Sequence, residues 1–209
     1  MMRTVRDDMP AESSKPAEPG GVGGEVLPPE LRVDLRDSSG RVPESACVWL
    51  VEMMSKAFAA AARREAGRSG GRARGGEVRV RVVNDEEMAR LHEEYAGVPG
   101  TTDVLTFDLS VDEDGSGFAP LDVDIEICLD EAERQARARG WTGTAFTTSG
   151  APGWWHELLL YGLHGVLHCL GHDDHDPESY RAMHDAEDEI LTGIGVGVVF
   201  ARPARGEGA

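Results

Sequence analysis

Four segments of the chain are predicted to form β-strands. Apolar and polar residues alternate over residues 31–35, 78–82 and 123–128, so every second side chain points to the same face of the strand. Residues 103–109 are predicted to form the other strand.

Helical patterns are interspersed with these strands. Helices are predicted at residues 43–66, after the N-cap Asn84, from the cap Asp130 to about residue 139, at residues 154–170 and from Pro177 onward. The segment 154–170 is the longest apolar-rich helix, and we expect it to be the central core helix. The order of elements predicts an α+β fold, an α/β sandwich. It has one mixed four-stranded sheet, a central histidine-bearing helix and flanking helices.

The chain has 209 residues, and its composition divides it into three parts. Residues 1–29 are rich in Pro, Gly, Ser and charge and are predicted to be a disordered N-terminal arm. Residues 30–192 are predicted to be a single domain, and residues 193–209 a flexible C-terminal tail. The three cysteines are far apart in sequence, and neither a signal peptide nor a membrane span is predicted, so we expect a cytoplasmic protein.

Four of the seven histidines lie within residues 164–175. His164 and His168 are spaced i, i+4, which on a helix places both imidazoles on one face, about 5–6 Å apart at Cβ. Gly171 is a natural helix stop, after which the chain can fold back and offer a third metal ligand. His172, Asp174 and His175 compete for this role. The interpretation favours His175, with Asp173 or Asp174 as an acceptor that orients an imidazole.

This cluster indicates a catalytic metal rather than a structural one. Imidazole ligands favour zinc and its neighbours, and three protein ligands plus one open position are typical of catalytic zinc. The predicted cofactor is one Zn²⁺ ion, and the predicted reaction is hydrolysis by metal-bound water, assisted by Asp173 or Asp174. The other histidines, His92, His156 and His184, are interpreted as structural or surface residues.

A zinc protease is the competing interpretation. Proteases with the His-Glu-x-x-His motif use the glutamate after the first histidine as general base, but here this position is Gly165. A protease would need its base from elsewhere, such as Glu157 or Asp173. The motif therefore counts against peptide hydrolysis by the usual route.

The histidine segment resembles the signature of the YbeY endoribonucleases, which are bacterial rRNA maturation factors. Residues 84–95 are similar to the family's Asn-x-x-x-Met/Ile-x-x-Leu-Asn-x-x-Tyr helix. Residues 102–107 resemble its Thr-Asp-Val-Leu-Ser-Phe strand, and residues 124–127 its Gly-Asp-Ile-x-Ile strand. The four motifs occur in the family's order and span about residues 31–191.

The resemblance implies a metal-dependent, single-strand-specific endoribonuclease. Its expected partners are ribosomal RNA and the small ribosomal subunit, in rRNA 3′-end maturation and ribosome quality control in the cytoplasm, with no DNA partner. The family's zinc-ligand histidines carry over to His164, His168 and, with one inserted residue, His175, while Asp174 occupies the family's usual third position. The family's arginine after the tyrosine is replaced by Ala96. An assembly factor with a mainly structural metal, or a metallohydrolase of another substrate such as peptide, stays an alternative.

The net charge of −17 is unfavourable for binding RNA in bulk, so a local basic surface is needed. Two arginine clusters are candidates for an RNA-facing edge, one within residues 63–81 and one within residues 134–139. The alternative is that these arginines only make a flexible linker soluble.

Overall fold

The computed structural model describes residues 30–112, 119–141 and 151–199. The predicted N-terminal arm lies outside the described residues. The elements in chain order are β1 (Leu31–Asp37), α1 (Glu44–Ser69), β2 (Gly76–Val83), α2 (Asp85–Ala96), β3 (Val104–Asp108), β4 (Leu121–Cys128), α3 (Leu129–Ala138), α4 (Gly153–Cys169) and α5 (Pro177–Gly193). The predicted α+β fold is confirmed.

The four strands form one mixed sheet in the order β1-β2-β4-β3. β1, β2 and β4 are mutually parallel, and β3 joins as an antiparallel edge strand. The alternation in sequence determines the two faces. The apolar residues of β2 and β4 are buried in the core, while Arg79 and Arg81 form cross-strand ion pairs with the acids of β4 on the other face.

Helices α1 and α4 cover the apolar face of the sheet. α4 is apolar nearly all round, and most of its residues are buried because it lies between α1, the sheet, α3 and α5. α1 has the length and hydropathy of a membrane span, but eight of its residues are buried in the protein core, as expected for a core helix. The predicted central position of the histidine-bearing helix is thus confirmed.

Two helix starts test the capping predictions. Asn84 caps α2 and accepts a hydrogen bond from the Glu87 backbone N–H at 2.9 Å, as predicted. The predicted cap at Asp130 is wrong, because α3 begins at Leu129 and Cys128 is its N-cap residue. The Asp130 carboxylate instead accepts from the Asp85 backbone N–H and pairs with Arg41.

The first residues of the predicted C-terminal tail pack against the domain. Val196 and Val199 are buried in the core. Val199 N–H donates to Asp188, and Arg139 donates to the Val199 carbonyl. Residues 200–209 lie outside the described part of the chain.

Candidate metal centre

The two helical histidines lie at the C-terminal end of α4, next to strand β3 and helix α5. The Nε2 atoms of His164 and His168 are 3.0 Å apart, and the rings are nearly perpendicular, at 84°. Two nitrogens at about 2.0–2.1 Å from one tetrahedral zinc ion would lie about 3.3 Å apart. The pair therefore has nearly the spacing that a shared metal ion requires.

Hydrogen bonds on the opposite ring nitrogens hold both imidazoles in place. His164 Nδ1 lies 2.9 Å from the Glu187 carboxylate on α5, and His168 Nδ1 lies 3.1 Å from the His172 carbonyl. When each Nδ1–H donates to its oxygen, each Nε2 keeps a free lone pair. The two lone pairs are then available to one metal ion between the rings. Outer contacts of this kind fix the tautomer of metal-binding histidines.

The turn after α4 brings a carboxylate to the same point. Gly171 has a φ of +93°, a conformation that favours glycine, and lets the chain reverse after the helix. Asp174 then lies with its carboxylate oxygens 3.7 Å from His164 Nε2 and 3.9 Å from His168 Nε2. His164, His168 and Asp174 form one group of potential ligand atoms within 4.8 Å of one another.

The other two candidates for third ligand point elsewhere. The His175 side chain is 84% exposed, and its Nδ1 contacts Asp173 rather than the histidine pair. His175, Asp173 and Asp174 form a second acidic group at the surface of the turn. The His172 ring lies 3.6 Å from the Glu65 carboxylate of α1. The structure thus brings Asp174 to His164 and His168, and it does not bring His175 or His172 there.

The donor set fits a divalent transition metal. Two neutral imidazoles and one carboxylate satisfy zinc or a neighbouring first-row ion, and Glu187 is a fully buried acid that supports the set. Burial lowers the pKa of His164, but the hydrogen bond and charge of Glu187 outweigh this effect and leave the pKa raised. A metal ion bound to His164 would compete with the proton that the raised pKa favours. Metal affinity would therefore fall at low pH.

Gly165 occupies the position where a protease of the His-Glu-x-x-His type has its general base. α4 packs so closely on β3 and β4 here that a Cβ atom on Gly165 would clash with Thr106 Oγ1 and lie 3.2 Å from Ile125 Cδ1. A glutamate at this position would require Thr106, Ile125 or the helix itself to shift. The packing therefore gives a physical reason for the missing protease base.

Comparison with known proteins places the chain in a family. The sequence profile of the family Endoribonuclease YbeY matches residues 50–195. The chain belongs to the YbeY endoribonuclease family. It is 33% identical to Endoribonuclease YbeY of Bacillus licheniformis over 174 residues, which covers 79% of this chain and 96% of that protein.

Other relatives carry the same name. Endoribonuclease YbeY of Frankia alni is 34% identical over 143 residues, covering 62% of this chain and 71% of the relative. A solution structure of a Thermotoga maritima protein aligns with a TM-score of 0.45 and 23% identity, covering 77% of this chain and 90% of that one. Membership in the YbeY family supports an endoribonuclease role, hence a hydrolase that acts on RNA.

Most arginines of the two predicted basic clusters are neutralised by acids of the domain. Arginines of both predicted basic clusters make ion pairs with acids of the domain: Arg64–Glu189, Arg68–Glu65, Arg79–Asp122, Arg81–Glu126, Arg134–Asp85, Arg137–Glu133 and Arg139–Glu157. Arg74 donates to the carbonyls of Ala119 and Cys169. These contacts give many of the arginines a structural role, so the predicted RNA-facing edge gains no support from them.

Two site residues were missed by the sequence analysis. Glu187 contacts both His164 and His184, and the His184 Nδ1 lies 2.6 Å from its second oxygen. In the sequence analysis Glu187 was given no role, and His184 was interpreted as a structural or surface residue. An acid at a core-facing helical position was the available signal, because a buried carboxylate needs a partner.

Proposed function

We propose that this protein is a metal-dependent, single-strand-specific endoribonuclease that binds one zinc ion through His164, His168 and Asp174. The observation that carries the proposal is the convergence of two Nε2 atoms 3.0 Å apart with the Asp174 carboxylate in a YbeY family member. The proposed substrate is ribosomal RNA of the small subunit, at its 3′ end, in the cytoplasm. This finer assignment rests on the family resemblance.

The residues around the site suit phosphodiester hydrolysis. His164, His168 and Asp174 would hold the zinc ion, which would supply a Lewis acid for the phosphate and a source of hydroxide near neutral pH. Glu187 and the His172 carbonyl orient the two imidazoles, while Asp174 adds negative charge that retains the cation. Asp173 is 56% exposed beside His175 and is available to exchange protons with solvent.

An RNA cleavage assay tests the proposal. Chelator-treated protein is incubated with an end-labelled, unstructured RNA before and after one equivalent of Zn²⁺ is added. We expect zinc-dependent internal cleavage by the wild type and a loss of at least about 100-fold in His168→Ala. His92→Ala is the matched control, since His92 lies on α2 and contacts the Gly100 carbonyl. Equal cleavage by wild type and His168→Ala would contradict the proposal.

The second candidate is an assembly factor with a mainly structural metal. The neutralised arginines and the net charge of −17 favour it, since both weaken the attraction of RNA to the domain. In that case removing the metal should lower the melting temperature, and the loaded protein should leave RNA intact. Cleavage by the loaded wild type that is lost in His168→Ala would exclude it.

A further inference from the structure

The metal centre opens into a polar cavity that the proposed chemistry leaves unused. The cavity has a volume of about 500 Å³ and lies between α3, α4, α5 and residues 101–103. His164 and Asp174 line one end of it. Tyr161 and Glu157 of α4 line the cavity about one and two helical turns before His164, and Arg139 lines it from the end of α3.

Two buried polar groups in this cavity lack hydrogen-bond partners. Glu157 is fully buried, and its Oε1 pairs with Arg139 Nε at 2.7 Å. Its Oε2 and the hydroxyl of Tyr161, a residue only 4% exposed, have no hydrogen-bond partner among the described residues. A buried polar atom without a partner is costly, and most are satisfied by protein, water or ligand. These two atoms therefore mark a place for a polar ligand.

The spacing along α4 indicates which part of a substrate would reach this place. Glu157 precedes His164 by seven residues, which is about 10 Å along the helix. A phosphate bound at the metal centre is too far away for Glu157 to act on it directly. The part of the substrate that we expect to reach Glu157 is the base of an adjoining nucleotide.

The charges of the lining favour a base over a second phosphate. Asp103, Glu131, Glu157 and Asp174 line the cavity, and Arg139 is the arginine among its lining residues. A phosphate would be repelled by these carboxylates, whereas a neutral base offers N–H donors to them. Unpaired RNA bases are commonly recognised by hydrogen bonds to their Watson–Crick edges.

We propose that Glu157 and Tyr161 form a subsite for an unpaired nucleobase that presents an amino donor beside a ring-nitrogen acceptor, as cytosine and adenine do. Glu157 Oε2 accepts a hydrogen bond from the amino group, and the Tyr161 hydroxyl donates one to the ring nitrogen. Uracil has a carbonyl oxygen in place of the amino group and an N–H in place of the ring-nitrogen acceptor, so it fits less well. This inference rests on the proposed function, since the ligand is a nucleotide of the RNA substrate.

Binding to two isosteric pyrimidine RNAs tests the subsite. Fluorescence anisotropy gives the Kd of zinc-loaded protein for labelled hexamers of cytidine and of uridine, with a gel after each titration to verify intact RNA. The assay is run at pH 8, because burial raises the pKa of Glu157 to about 7 and the carboxylate should be ionised. We expect wild type to bind the cytidine hexamer about 5- to 30-fold more tightly.

Two near-isosteric variants provide the decisive comparison. Tyr161→Phe removes only an unpartnered hydroxyl and should fold normally, and Glu157→Gln keeps the shape of the side chain. Each should reduce the cytidine-to-uridine preference to less than about twofold. Tyr95→Phe is the matched control, since Tyr95 is 60% exposed and packs on Phe107 outside the cavity, and its preference should equal that of wild type.

The outcomes separate this inference from the proposed function. RNA cleavage with no cytidine preference, or a preference unchanged in Tyr161→Phe, would overturn the subsite and leave the endoribonuclease standing. A preference that is lost in Tyr161→Phe, without any cleavage, would support the subsite and contradict the endoribonuclease. Absence of binding to either hexamer would overturn the subsite.

Discussion

The helix and the turn that form the candidate metal centre differ in how firmly they fix their ligands. On α4, His164 and His168 are 20% and 32% exposed, and a hydrogen bond to Nδ1 orients each ring. In the turn after Gly171, Asp174 is 31% exposed and His175 is 84% exposed. Helical spacing therefore determines the first two proposed ligands, whereas the third proposed ligand depends on the path of a short exposed turn.

The largest expected effect distinguishes Asp174 from His175. Asp174→Ala should weaken zinc binding by at least about 100-fold, because loss of a ligand exceeds the 10- to 100-fold typical of its outer partners. His175→Ala should change zinc affinity by less than about threefold, because its exposed ring points to Asp173. Competition with a chromophoric chelator measures both affinities.

If His175→Ala weakened zinc binding more than Asp174→Ala, His175 would be restored as third ligand. The turn would then have to rearrange around the metal. His172→Ala serves as a further control in the same segment, since its ring lies beside Glu65 of α1. Equal losses in Asp174→Ala and His175→Ala would indicate that both residues bind the ion.

The next expected effect concerns Glu187, which supports the His164–His168 pair through its contact with His164. Glu187→Gln keeps the side-chain shape but removes the charge that accepts hydrogen bonds from His164 and His184. An amide can accept from only one of the two rings, so we expect zinc affinity to fall about 10- to 100-fold. Glu189→Gln is the control on the same helix, because Glu189 is 68% exposed and pairs with Arg64. Equal affinities in the two variants would contradict a supporting role for Glu187.

These differences explain what sequence could and could not predict. The strands, the central helix and the His164–His168 pair follow from periods of two and about 3.6 residues. The third ligand was open among three residues of one turn, and in such turns side-chain direction changes at each residue without a fixed period. Glu187 reaches His164 from another helix, 23 residues away in sequence, so only the packing of α5 on α4 reveals it.

A smaller effect tests how closely the helix must approach the sheet. Gly165→Ala places a methyl group against the side chains of Thr106 and Ile125, so these side chains, α4 or β3 must shift. We expect the free energy of unfolding to fall by about 1–3 kcal/mol, as for other overpacked cores. Chemical denaturation measures it, and Gly162→Ala is the comparison, where the nearest atoms are the flexible end of Met54 at 3.0 Å and the Phe58 ring. A larger loss of stability in Gly162→Ala would show that the sheet side of α4 accommodates an added methyl group more readily than the α1 side.

The last effect is a pH dependence at the other end of α4. Burial raises the pKa of Glu157 to about 7, in spite of the Arg139 charge, from a usual value near 4.5. The folded state then binds this proton more tightly than the unfolded state, so the contribution to stability is greatest at low pH. It declines as the pH rises from about 4.5 to 7 and is constant above. Between pH 5 and pH 8, wild type should therefore lose about 2–2.5 kcal/mol more than Glu157→Gln, which has no titrating group there. Urea unfolding at both pH values measures this difference. If the free energy of unfolding changed equally with pH in the two proteins, Arg139 would hold the Glu157 carboxylate ionised in the folded state. The cavity end of α4 would then be as firmly paired as its metal end.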